Sequence, residues 1–170
     1  SDHGLLKRSP RSPLTKPDHT FWRTVAVLTE VTEQHRAQAA SNRLAAIVEA
    51  TTDLVCVSDP AGRILQMNGA GRSMLGLVNA DLSRVSIQQL MPQWAYDKMM
   101  KDGVSQAAVH GTWSGETAVL RQDGAEVPVS QVIISHKDAR GTVTYYSTVM
   151  RDITERQRAD EALRTSREQY

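Results

Sequence analysis

Residues 112–155 read TWSGETAVLRQDGAEVPVSQVIISHKDARGTVTYYSTVMRDITE. Three runs rich in Val, Ile, Thr, Tyr and Trp, at 112–122, 126–135 and 143–153, are joined by QDGAE and HKDARGT, each with a Gly near its apex. Such residues fit a pleated surface, and Gly supplies the positive φ of a tight turn. The stretch therefore predicts three antiparallel strands in a meander. The last two strands carry bulky residues on both alternating sets: Val127, Val129 and Ile133 against Val132 and Ile134, then Tyr145 and Val149 against Tyr146 and Met150. A sheet with one wet face alternates more cleanly. Both faces here require partial cover, one from helices in the middle of the chain and the other from a terminal helix or a second protomer.

Upstream, DLVCVSDPAGRILQMN (53–68) holds two short runs of strand formers around Asp59-Pro60-Ala61-Gly62, which predicts a hairpin of 53–58 with 63–67. Asn68 follows, and Asn is among the best helix N-caps. A short helix is expected over 69–75, stopped near Gly76. Residues 81–91 suggest one or two helical turns. Pro92 opens a longer helix over 93–109, with Trp94, Met99, Met100, Val104 and Ala107 or Ala108 roughly on one face and Gly103 weakening its middle. Helices are also expected at 33–50, with a stripe of Ala37, Ala40, Leu44 and Ile47, and from 155 on, with Ala159, Leu163, Ser166 and Tyr170. The order is helix, two strands, several helices, three strands, helix, which is an α+β domain.

With 20 Lys and Arg against 19 Asp and Glu, the net charge of +1 implies neither a nucleic acid nor a charged membrane surface as partner. The single Cys56 forms no internal disulfide. Together with the lack of a signal-peptide pattern, this favours a reducing cytoplasm. No apolar run approaches the ~20 residues of a bilayer span, so no direct membrane insertion is expected; tethering of a longer parent chain is left open. No nucleophile elbow, phosphate-binding loop or zinc-protease motif appears, and the five His are scattered. Catalysis and metal binding are disfavoured.

The order of elements, with Asp59-Pro-Ala-Gly-Arg-Ile64, Asn68, Trp113-Ser-Gly-Glu116, Arg121-Gln-Asp-Gly124 and Met150-Arg-Asp-Ile-Thr-Glu155, resembles the PAS sensor domain. The likeness spans about 44–155. Its most specific element is Asp152-Ile153-Thr154, where PAS domains carry an Asp-Ile-Thr signature before an output helix. The resemblance implies a five-stranded antiparallel sheet with short helices on one face, flanked by amphipathic helices.

The chain also resembles itself. LTEVTEQHRAQAA (28–40) lies over MRDITERQRADEA (150–162) without a gap, with Thr32, Glu33, Arg36, Ala37 and Ala40 repeated as Thr154, Glu155, Arg158, Ala159 and Ala162. The offset continues upstream, FWRTVAVL falling on VTYYSTVM. Residues 4–31 therefore resemble the last hairpin of a preceding PAS unit. The expected organisation is 1–31 as that remnant or a linker, 32–50 as a linker helix, 51–154 as the PAS core and 155–170 as an output helix.

Heme-binding PAS domains place a His on the long central helix, and 93–109 has none. Light-sensing members carry a reactive Cys in an Asn-Cys-Arg stretch, and here that region reads SIQQLM. Heme and covalently attached flavin are disfavoured. Trp113 resembles a Trp at the start of the corresponding strand in flavin PAS domains, which keeps non-covalent flavin open; as a sheet-face anchor the same residue is plain core. All six Met lie between the second strand and the last, and thioethers fill irregular cavities and adapt to varied ligands. The expected pocket for a small apolar or weakly polar ligand is bounded by Met67, Met74, Trp94 and Met100, with Val104, Trp113, Val132 and Tyr146.

For function, the resemblance implies a cytoplasmic sensory and dimerisation module of a multi-domain signalling protein, for instance a sensor histidine kinase in a two-component phosphorelay. A ligand or redox event in the core would reach the C-terminal helix through Asp152, Ile153 and Thr154. The alternatives are a ligand-free scaffold for protein contacts and the input domain of a diguanylate cyclase. The expected partners are a second copy, held by coiled-coil pairing of the flanking helices, and an adjacent PAS or output domain.

Overall fold

Asn68 organises the N-terminal half of the sheet. In a computed structural model, which describes residues 19–168, this side chain is 2% exposed and uses its full hydrogen-bonding capacity. Its Oδ1 accepts from the amides of Val55 (2.9 Å) and Gly71 (3.0 Å), and its Nδ2 donates to the carbonyls of Val48 and Asp53, both at 3.0 Å. One residue thus caps a helix and ties it to the start of the sheet.

The elements run in order as α1 (His19–Ala50), β1 (Leu54–Ser58), β2 (Ile64–Met67) and α2 (Gly69–Leu75), then two 3₁₀ turns at Leu82–Arg84 and Ile87–Leu90. A helical stretch follows as α3 (Gln93–Lys98), a π-helical segment (Met99–Val104) and α4 (Ser105–His110). The chain then forms β3 (Thr112–Leu120), β4 (Glu126–Lys137), β5 (Val143–Asp152) and α5 (Thr154–Glu168). Helix α2 ends as its sequence dictates, because Gly76 takes φ +75° and turns its amide back onto the last turn. All pairings are antiparallel and the strand order is β2-β1-β5-β4-β3. This is the α+β, five-stranded architecture expected.

Two buried clusters fill the space between sheet and helices. One gathers Leu54, Leu75, Val119 and Val129 under α2, and the other gathers Met91, Ala95, Met99, Ala107 and Ile133 under the central helical stretch. The opposite sheet face is only partly covered, with Val132 and Val149 half-buried and Ile134 and Tyr145 39% and 38% exposed.

Of the two N-terminal expectations, hairpin remnant or linker, the hairpin is not formed where it can be compared. Residues 19–31 belong to α1 and form no strand, while 1–18 lie outside the described residues. A two-stranded hairpin cut from its sheet is marginal in water, whereas a helix satisfies its backbone within its own segment. The expected boundary at 31 is also absent, since α1 runs through it. The chain instead divides into compact units at Leu44 and Ala45. Among the described residues no helix is long and apolar enough to cross a membrane.

Candidate functional site

Strand register sets which side chains meet beneath the helices. Ser58 pairs with Tyr146, Cys56 with Thr148 and Leu54 with Met150, while Ile133 pairs with Thr148 and Gln131 with Met150. Directly opposed residues share a face, so β1, β4 and β5 present one inward surface. Above it, the π segment places Met99, Met100 and Val104. Together they enclose a cavity of about 110 Å³, whose inner wall includes Ile133, Tyr146 and Thr148. A second, smaller cavity of about 30 Å³ lies deeper, lined almost wholly by apolar groups including Leu54, Met67 and Met150. Ile87, Met99 and Thr148 line both.

The π segment explains the helix phase. Ala95, Met99, Gly103 and Ala107 are all buried, at constant steps of four. In a regular α-helix four residues overshoot a turn by about 40°, and the wider π turn absorbs that drift. The Ser105 hydroxyl donates to the Met100 carbonyl at 3.1 Å, one residue beyond α-helical spacing. π-bulges of this kind recur at functional sites.

The cavity mouth is polar. Asp59 accepts from the Arg63 amide (2.9 Å) and from Arg63 Nε (2.7 Å), and the amide bond together with the neighbouring guanidinium holds the Asp59 carboxyl below its usual pKa. The Ile87 amide donates to the Gly62 carbonyl at 3.1 Å, which pins the 86–88 segment to the β1–β2 turn.

Gln131 is the outlier of the interior. It is fully buried, its Oε1 accepts from the Thr117 hydroxyl at 2.7 Å, and its Nε2 has no partner. It lines the deeper cavity. Its signal in the sequence is strand parity, since Gln131 shares the inward set with Val129 and Ile133.

Of the residues expected to bound a pocket, Met100, Val104 and Tyr146 line the larger cavity and Met67 the smaller. The other four do not. Val132 lies on the opposite sheet face, because strand parity gives the inward place to its neighbour Ile133. Trp94 projects outward from the first turn of α3 and is 52% exposed. Met74 packs on the flank of the core and borders a shallow surface groove with Arg121. Trp113 is half-buried between two glycines. A Cβ on Gly115 would lie 2.5 Å from its Cζ2, and one on Gly103 would lie 3.1 Å from its Cε3. Gly115→Ala is therefore expected to cost about 1–3 kcal/mol through overpacking, read as a lowered urea midpoint with an unchanged m-value.

Cys56 is buried, and burial pushes its thiol from 9.0 up to about 12. The native protein thus holds the proton above pH 9 while the unfolded chain releases it, so stability falls as pH rises from about 9 towards about 12. Cys56→Ala should flatten that part of a pH–stability curve, measured as the difference between the two proteins. A buried neutral thiol is also a poor redox sensor.

At the exit from the sheet, Ile153 is buried and its amide donates to the Pro128 carbonyl at 3.0 Å. Asp152 Oδ1 accepts from the Thr154 amide at 2.8 Å and from the Thr154 hydroxyl. Arg156, in the first turn of α5, pairs with Glu116 of β3, whose carbonyl also accepts from Lys98 Nζ. Arg151 forks onto Asp53 at 3.1 and 2.9 Å, a hydrogen-bonded pairing that raises its pKa.

A family model for the PAS domain matches residues 52–155. The chain belongs to the PAS domain family. No curated protein sequence matches it. Among solved structures, this PAS domain is similar to one from Colwellia psychrerythraea, with 18% identity, TM-score 0.63, and coverage of 68% of this chain and 98% of that one. It also resembles a sensory box histidine kinase/response regulator from Burkholderia thailandensis, with 15% identity, TM-score 0.57, and coverage of 75% and 96%. An RNA-binding light-oxygen-voltage receptor matches with 17% identity and TM-score 0.60, covering 77% of this chain and 38% of that one. At these identities the likeness establishes the fold alone.

Heme does not fit this PAS domain, since the helical stretch 93–110 offers only His110, exposed at its far end. Among the described residues no three His, Cys, Asp or Glu side chains converge where a metal ion could sit. The larger cavity lies below the ~300–1,000 Å³ of ordinary ligand pockets. A flavin ring system is larger than this space and would have to displace side chains such as Met99 and Met100 that line it.

Proposed function

We propose that this PAS domain is the sensory module of a larger signalling protein, in which occupation of the cavity by a compact ligand is relayed through β5 to α5. One observation carries the reading. The strand that supplies Tyr146, Thr148 and Met150 to the cavity walls is the same strand whose end, through Asp152, Ile153 and Thr154, starts the exit helix. A displaced cavity wall then moves the root of α5. PAS domains of sensor histidine kinases among the structural neighbours support a kinase output in a two-component phosphorelay, with a diguanylate cyclase as the rival output. Non-covalent flavin is the rival occupant, and absorbance of the purified protein between 350 and 650 nm decides between them.

Leu44, Ile47 and Leu163 are 65%, 60% and 57% exposed on the flanking helices. Apolar side chains on charged helices suit pairing with a second copy, so the module acts as a homodimer in a cytoplasmic signalling chain.

Asp152→Ala tests the relay. An exposed cap is worth about 1 kcal/mol, so the fold should survive with a midpoint lower by only a few degrees. Amides of Glu155 to Arg158 should exchange faster, and a chimera joining α5 to a histidine kinase output should lose its response to benzene in the cavity. An unaltered response in the variant chimera defeats the relay.

A further inference from the structure

We infer that the cavity is built for a compact, mostly apolar molecule carrying one hydrogen-bond acceptor, such as a small ketone, ether or ester, whose oxygen meets the side-chain amide of Gln131. This deepens the sensory reading above and rests on it.

Gln131 is 0% exposed and borders a nearly apolar chamber. Buried polar groups are nearly always paired, so an orphan marks a missing partner. Here the acceptor half of the amide is already engaged by Thr117, and the free half is the donor nitrogen. A neutral acceptor satisfies it. A carboxylate is disfavoured, because neither cavity is lined by a cationic side chain to offset its desolvation.

Size gives the second constraint. The cavities measure about 110 and about 30 Å³, and Ile87, Met99 and Thr148 border both. An apolar cavity of about 150 Å³ takes benzene, and the larger chamber here, with its partly polar lining, limits the occupant to about that size or less. Two methionines in the outer wall, Met99 and Met100, adapt to its outline. The acceptor end lies inward, towards Gln131, and the body fills the outer chamber below the β1–β2 turn.

Two probes of similar bulk test this on the whole chain: cyclohexanone, which has an acceptor, and benzene, which has no comparable one. Calorimetry and thermal shift should show cyclohexanone binding about tenfold more tightly, the value of one added hydrogen bond. The side-chain amide signals of Gln131 in ¹⁵N NMR should move with cyclohexanone and stay near their free positions with benzene. The double variant Thr117→Val with Gln131→Leu replaces both partners by apolar groups of similar shape, and should erase the preference. If that variant fails to fold, the wild-type NMR comparison decides alone. Equal affinities with an unmoved Gln131 signal would overturn the acceptor assignment while leaving a ligand cavity standing. No binding of any probe would overturn the inference together with the cavity reading beneath it.

Discussion

Asn68→Ala is expected to lower the thermal midpoint by about 10–15 °C. The side chain makes four hydrogen bonds at 2.9–3.0 Å from a buried position. Its loss removes the α2 cap and strands two amides and two carbonyls. At about 1–3 kcal/mol for a stranded buried group, with partial rescue by water, the total is about 3–5 kcal/mol. Asn68→Asp separates the two halves of this network. It keeps both acceptor bonds, including the cap, but turns an oxygen towards the carbonyls of Val48 and Asp53. If capping were the whole role, the Asp variant would be near wild type; the structure requires it to be clearly destabilised at neutral pH. Thermal melts of the two variants decide.

Ile153→Ala should cost about 2–4 kcal/mol, since a buried Ile leaves a cavity that its surroundings only partly close. The location matters more than the size. Ile153 holds the final strand and the first turn of α5 together, its amide on Pro128 and its carbonyl accepting from Gln157 at 2.9 Å. Hydrogen exchange should therefore quicken across residues 153–160 beyond what the global loss of stability explains. Ile153→Val, missing one methyl, should cost about 1 kcal/mol and leave α5 protection close to wild type. Uniform acceleration across the whole domain in the Ala variant would show that α5 is not specially anchored there.

The sheet was legible because its signals are local. Strand formers flank Gly-bearing turns, and Asn68 and Gly76 mark the ends of α2 by their own chemistry. The pocket was harder. Choosing Val132 over Ile133 is a parity decision, and a strand bulky on both sides does not declare which set faces inward. Trp94 was placed inward by an unbroken 3.6-residue period, while the π segment holds the buried stripe at Ala95, Met99, Gly103 and Ala107. The helical state of 19–31 was hidden by its likeness to 141–153, a stretch that is held as a strand by pairing with β1 and β4. Cavity volume depends on side chains from several separate segments at once, and no single stretch encodes it.

The strand order β2-β1-β5-β4-β3 puts the last strand to be synthesised between the first and the penultimate, so that Leu54 meets Met150. Until residue 152 leaves the ribosome, the nascent chain holds two partial sheets, each with an open edge, and neither can close over its hydrocarbon. Long-range pairing of this kind slows folding and exposes sticky intermediates. Truncation before Val143, which removes β5 and the strand partner of both half-sheets, should thus give aggregates instead of a smaller domain.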